Sequence, residues 1–121
     1  MTALAGMRVL VIEDEALIAV LVEDMLTDLG ATVVGPAGSV AKGLELLERE
    51  PIDAAVLDVN LRSESIDPII DKLKALQAPF LFATGYGETS LSRTAGAPVV
   101  AKPYTRDELA DALLKIARPR G

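Results

Sequence analysis

The sequence predicts a doubly wound α/β fold: a five-stranded parallel sheet in the order 2-1-3-4-5, with helices on both faces. Three observations carry this. Short runs are apolar at consecutive positions rather than at every second one, the pattern of strands buried on both faces. Segments between the runs repeat apolar residues at three- and four-residue spacing. Ionisable residues gather just after the runs, at the strand ends where open parallel sheets assemble their ligand groups. The 121 residues suit one domain, 1–121, with its core over about 7–118.

The first run is Arg8-Val-Leu-Val-Ile12. A helix follows over 14–29, with Ile18, Leu21, Val22, Met25 and Leu29 on its core face and Gly30 as its stop. Ala31-Thr-Val-Val-Gly35 is the second strand, with Gly35-Pro36 at its end. Ser39 caps a helix over 39–49 that carries Val40, Leu44 and Leu47. Ala54-Ala-Val-Leu57 is the third strand. Asp67 is expected as N-cap, with Pro68 at the first helical position, of a helix over 67–77 bearing Ile69, Ile70, Leu73 and Leu76. Phe80-Leu-Phe-Ala83 and Pro98-Val-Val-Ala101 are the fourth and fifth strands. Between them, 86–96 is polar and rich in Gly, Ser and Thr, which predicts a loop or a weak, shortened fourth helix. Thr105 and Glu108 stand at capping-box spacing before a last helix, 105–117, with Leu109, Ala112, Leu113 and Ile116 inward.

Composition narrows the function. Eighteen acidic residues against 12 basic ones give a net charge of −6, which argues against a broad nucleic-acid face. With no cysteine and no histidine, thiolate chemistry, histidine metal ligands and Ser-His pairs are excluded. No apolar stretch approaches the roughly 20 residues that span a bilayer, and the start of the chain lacks a signal-peptide pattern, so a cytoplasmic location is expected. Chemistry is left to carboxylates, lysine, hydroxyls and oxygen-bound metal.

The strand ends supply that set. Glu13 and Asp14 follow strand 1, Asp58 follows strand 3, Thr84 follows strand 4 and Lys102-Pro103 follows strand 5. Three neighbouring carboxylates repel one another, and a hard divalent cation such as Mg²⁺ offsets that repulsion. Asp14 and Asp58 are expected as direct ligands, Glu13 directly or through water, and the backbone carbonyl of Asn60 as a further one. One carboxylate is then placed to act as nucleophile toward a phosphoryl group. Mg²⁺ and Lys102 would neutralise its oxygens, and the Thr84 hydroxyl would contact it once bound.

Val11-Ile-Glu-Asp-Glu15, Ala55-Val-Leu-Asp-Val-Asn-Leu61, Ala83-Thr-Gly85 and Lys102-Pro-Tyr104 together resemble the signature stretches of CheY-like response-regulator receiver domains, which have a flavodoxin-like fold. The resemblance implies Asp58 as phosphoacceptor, Glu13 and Asp14 as metal-binding acids, Thr84 as switch hydroxyl, Lys102 as phosphate-binding cation and a cis peptide before Pro103. Pro79-Phe-Leu-Phe-Ala-Thr-Gly-Tyr-Gly87 further resembles the FAT GUY group, often single-domain and associated with HWE-type histidine kinases of alphaproteobacteria. Two departures accompany it. Val99 stands where many receivers carry a switching aromatic, and the stretch between Thr84 and Lys102 is short for a full helix. Tyr86 or the 86–96 segment is therefore a candidate signal carrier.

The resulting expectation is a stand-alone two-component receiver that switches protein contacts, relays phosphate or drains it. Its partner is a histidine kinase or phosphotransfer protein, with no nucleic acid or membrane contact and a monomeric or weakly dimeric state. Ala16 and Val20, opposite the core stripe of the first helix, are expected to help dock the kinase. Tyr104 is read as packing. A haloacid-dehalogenase-type phosphatase would need its nucleophile in an Asp-x-Asp motif after strand 1, where Glu13-Asp14-Glu15 stands. A flavodoxin-like cofactor binder would need exposed amides there instead of acids.

Overall fold

The computed structural model describes residues 3–58, 65–84, 99–101 and 104–116. Its elements in chain order are β1 (Arg8–Ile12), α1 (Ala16–Asp28), β2 (Thr32–Ala37), α2 (Val40–Arg49), β3 (Ala54–Asp58), α3 (Asp67–Ala75), β4 (Phe80–Thr84), β5 (Val99–Ala101) and α4 (Arg106–Ile116). Strands β2, β1, β3 and β4 lie side by side in that order, all parallel, and Val99–Ala101 pairs along the free edge of β4. The expected fourth-helix segment, 86–96, lies outside the described residues.

Alternation along the strands divides the core in two. Val9 and Val11 of β1, Ala54 and Val56 of β3, and Leu81 and Ala83 of β4 pack with Val22 and Leu26 of α1 and Leu109 and Leu113 of α4. Their neighbours Leu10, Ile12, Ala55, Leu57 and Phe82 pack on the other face with Leu47 of α2 and Ile69, Ile70 and Leu73 of α3. Every residue of β3 is buried, which is why its sequence is unbroken by polar residues until Asp58. The N-terminal segment adds Leu4, only 1% exposed, whose N–H donates to the Leu29 carbonyl at 2.9 Å. The packed core thus begins before residue 7.

Most element ends follow local chemistry. Ser39 Oγ accepts the Lys42 N–H at 3.2 Å. Thr105 Oγ1 accepts the Glu108 N–H at 3.1 Å, and Glu108 Oε1 accepts the Thr105 N–H at 2.8 Å, a complete capping box. Gly30, at φ +90, takes the left-handed turn that ends α1.

Four details differ from the expectation. The buried face of α1 is Ala19, Val22 and Leu26, while Leu21 is 46% exposed. Residues 16–22 are apolar throughout, so their spacing does not single out one face. Asp67 is not the cap of α3; that position is Ile66, and Ser65 Oγ accepts the Asp67 N–H. Leu76, past the last turn of α3, is 48% exposed. Strand β2 runs on through Gly35-Pro36, a cis peptide, to Ala37. An edge strand tolerates proline because one side of its backbone needs no partner. Among the described residues, no helix is long and apolar enough to cross a membrane.

Candidate functional site

Strands β1 and β3 are paired so that Ile12 lies opposite Leu57, and the two chains leave the sheet side by side. The next residues are Glu13 and Asp58. The ladder continues one step on the other side, where the Glu13 N–H donates to the Ala37 carbonyl at 2.9 Å. Glu13 therefore keeps the strand alternation and shares the face of Val11, just as Asp58 shares the face of Val56. Asp14 follows immediately. One carboxylate oxygen from each of Glu13, Asp14 and Asp58 lies within 4.8 Å of the others.

The site is sequestered. Glu13 and Asp58 are each 5% exposed, the only buried charged side chains among the described residues. Burial penalises charge and proximity of like charges penalises it again. The N-cap of α1 is Glu15, whose side chain makes no capping bond. Glu13 Oε2 instead accepts the Glu15 N–H at 3.2 Å, which fixes that carboxylate against the helix entry. The donor set is all carboxylate oxygen, without nitrogen or sulfur, and suits a hard cation of the Mg²⁺ type.

The remaining sequence candidates distribute around this centre. Asp58 lies opposite Ala83, and Thr84 opposite Ala101. The backbone of Thr84 thus ends β4 one strand away from Asp58, with Ala101 beside it immediately before Lys102. Val99 is opposite Phe82, inside β5. Asn60, Tyr86, Lys102 and Pro103 lie outside the described residues.

One residue has a larger place than its sequence reading as packing gave it. Tyr104 is 8% exposed and belongs to the core layer of Val11, Val56 and Ala83. Burial pushes its phenol above the ordinary tyrosine range, and the charges of Glu13 and then Asp58 push it further. The residue read from the sequence as packing is therefore also an electrostatic neighbour of the acids. Its position two residues after the strand-end lysine was the available signal.

A 2-1-3-4 parallel sheet with an acidic cluster at its carboxyl edge defines the receiver class of flavodoxin-like α/β proteins. Residues 9–114 match the response regulator receiver domain family, and the chain belongs to it. It is 34% identical over 119 residues to the transcriptional regulatory protein PdtaR of Mycobacterium tuberculosis, covering 93% of this chain and 58% of that protein. It is 33% identical over 102 residues to the phyllosphere-induced regulator PhyR of Methylorubrum extorquens, covering 80% of this chain and 38% of that one. The chain thus spans well under two thirds of these relatives. The solution structure of SdrG from Sphingomonas melonis Fr1 superposes with a TM-score of 0.76 at 44% identity, over 94% of this chain and 97% of that one. A BeF₃-activated conformation of SdrG superposes at 0.77, over 92% and 96%.

The chain is accordingly a receiver domain of two-component systems, and the proteins it resembles are response regulators and receiver domains, signalling proteins rather than turnover enzymes. Receiver domains bind Mg²⁺ at an acidic pocket and interact with kinases and downstream proteins, and phosphorylation fits the family. This chain has an acidic cluster of Glu13, Asp14 and Asp58 at the strand ends.

Proposed function

We propose that this receiver takes a phosphoryl group onto Asp58 from a histidine kinase, in a reaction that it catalyses on itself with Mg²⁺. The observation that carries the reading is the convergence of three carboxylates, two of them buried, at the ends of adjacent strands. Asp58 is the acceptor because it terminates the central strand β3 and is flanked by Glu13 and Asp14. A carboxylate oxygen of Asp58 attacks phosphorus as the bond to the kinase imidazole nitrogen breaks, giving an aspartyl phosphate and a free imidazole.

Asp14 and Asp58 would hold the cation, with Glu13 binding it directly or through water and the Asn60 carbonyl as a further ligand. When bound, Mg²⁺ supplies positive charge that neutralises the acids and the incoming phosphoryl oxygens. Lys102 pairs with those oxygens, and the Thr84 hydroxyl contacts the group after transfer; a cis peptide before Pro103 belongs to the same reading. With valine at position 99, the change is passed on through Tyr86 or the 86–96 segment.

The donor kinase is of the HWE type. This rests on the resemblance of the 79–87 stretch to the FAT GUY group. The protein acts in the cytoplasm as a monomer or weak dimer, and its output is a protein contact, onward transfer or drainage of phosphate. Intact mass after incubation with Mg²⁺ and acetyl phosphate tests the acceptor. The expected result is one added phosphoryl mass, absent with EDTA and absent in Asp58→Asn. No adduct, together with an amide spectrum unmoved by beryllofluoride and Mg²⁺, overturns the reading.

A further inference from the structure

Tyr104 follows β5 by three residues and turns back into the core layer between the sheet and helices α1 and α4. Val11, Val56 and Ala83 belong to the same core cluster. Two residues beyond Val11 and Val56 on the same sheet face stand Glu13 and Asp58. One residue beyond Ala83 is Thr84. The tyrosine and these two acids thus belong to the same face of the sheet, at its carboxyl edge. Tyr104 is 8% exposed, and the two acids on its side are 5% exposed each.

We infer that Tyr104 is a positioning residue of the acidic site: its ring walls the α1–α4 side of Glu13 and Asp58, keeps water from that side and so strengthens cation binding. The physical ground is the local dielectric. Attraction between a carboxylate and a cation grows as the surrounding medium becomes less polar, and a buried aromatic ring replaces several waters at once. The phenol stays neutral, so the wall adds no fourth negative charge.

The inference rests on the reading of Glu13, Asp14 and Asp58 as a cation site. Calorimetric titration with Mg²⁺ measures that site directly, without phosphorylation. Tyr104→Phe keeps the ring and is expected to bind Mg²⁺ within about twofold of the wild type. Tyr104→Ala opens the wall and is expected to bind at least about fivefold more weakly, with acetyl phosphate labelling restored at saturating Mg²⁺. Tyr104→Leu replaces it if the alanine variant does not fold by circular dichroism. A second readout uses the two tyrosines and absent tryptophan of the sequence. In Tyr86→Phe, the tyrosine near-ultraviolet dichroism comes from Tyr104 alone and is expected to change with Mg²⁺ along the calorimetric curve. A folded alanine or leucine variant with wild-type affinity, or a tyrosine band unmoved at saturating Mg²⁺, overturns the inference and leaves the acceptor reading intact. A wild-type protein that binds no Mg²⁺ overturns both.

Discussion

The main-chain N–H of Glu15 donates to Glu13 Oε2 at 3.2 Å, so the first acid of the cluster is held by the start of the helix that follows it. A glutamine at position 13 retains an oxygen for this bond and removes one negative charge. Glu13→Gln is therefore expected to fold normally and to bind Mg²⁺ about tenfold more weakly, since one of three cation-attracting charges is gone. Calorimetric titration beside a thermal melt checks this. An unchanged affinity would place Glu13 outside the cation's reach.

The same repulsion makes a prediction of opposite sign for stability. Glu13 and Asp58 are almost fully buried beside Asp14. Without metal, Asp58→Asn removes a like charge from this group and is expected to raise stability by about 1–3 kcal/mol. Saturating Mg²⁺ stabilises the folded wild type more than the variant, so the gap narrows. Urea unfolding with EDTA and with Mg²⁺ measures both differences. A variant less stable than wild type in EDTA would show that hydrogen bonds to Asp58 outweigh the repulsion.

Much of this site was legible because parallel strands announce it. The unbroken apolar run 54–57 can end in only one place, and the first charge after it, Asp58, is where the sheet delivers its functional groups. Glu13 and Asp14 follow β1 in the same way, and pairing of Ile12 with Leu57 brings the two ends together. What the sequence concealed was rotational. In α1, apolar residues occupy every position from 16 to 22, and the choice between Leu21 and Ala19 for the core depends on packing against β1 and α4. Tyr104 concealed a second role for a related reason: one side chain can fill the core and line the site when the site sits directly on the core.

That rotation leaves an apolar strip on the surface. Leu17 is 72%, Val20 51% and Leu21 46% exposed, on a helix that starts beside Asp14. Under the proposed phosphotransfer, the kinase must approach this side of the cluster, and apolar residues there supply contact area. Val20→Glu is expected to slow transfer from the cognate kinase about tenfold, while labelling by acetyl phosphate stays at the wild-type rate. Equal loss with both donors would point to damage at the site itself, and no loss with the kinase would remove Val20 from the docking surface.

Gly43 lies inside α2, where glycine ordinarily costs about 1 kcal/mol relative to alanine. A Cβ at this position would stand 2.8 Å from Ile12 Cδ1 and 2.8 Å from Ile69 Cδ1. Both isoleucines are buried at 1% and 0% exposure, so neither methyl has open space to enter. The glycine lets α2 seat against the sheet and α3 together. Overpacking of this kind costs about 1–3 kcal/mol, against a gain of about 1 kcal/mol in helix propensity. Gly43→Ala is expected to be destabilised by up to about 2 kcal/mol net, and Gly43→Val by more, in urea unfolding. A stabilised alanine variant would mean that the two isoleucines repack without strain.

The Tyr104 phenol gives the protein a defined alkaline response. Burial, then Glu13, then Asp58 raise its ionisation above the unfolded value, which is about 10. Below that value both states keep the proton and this group gives stability no pH dependence. Above it, the unfolded chain releases the proton while the folded one retains it. Stability then falls as pH rises, by up to about 1.4 kcal/mol per unit for this one group. Urea midpoints between pH 8.5 and 11 in EDTA, compared with Tyr104→Phe, isolate its share because the lysines contribute equally to both proteins. In a Tyr86→Phe background, absorbance near 295 nm is expected to report phenolate only as the chain unfolds. Phenolate forming near pH 10 in protein that is still folded would show that Tyr104 is wet and stands apart from the acids.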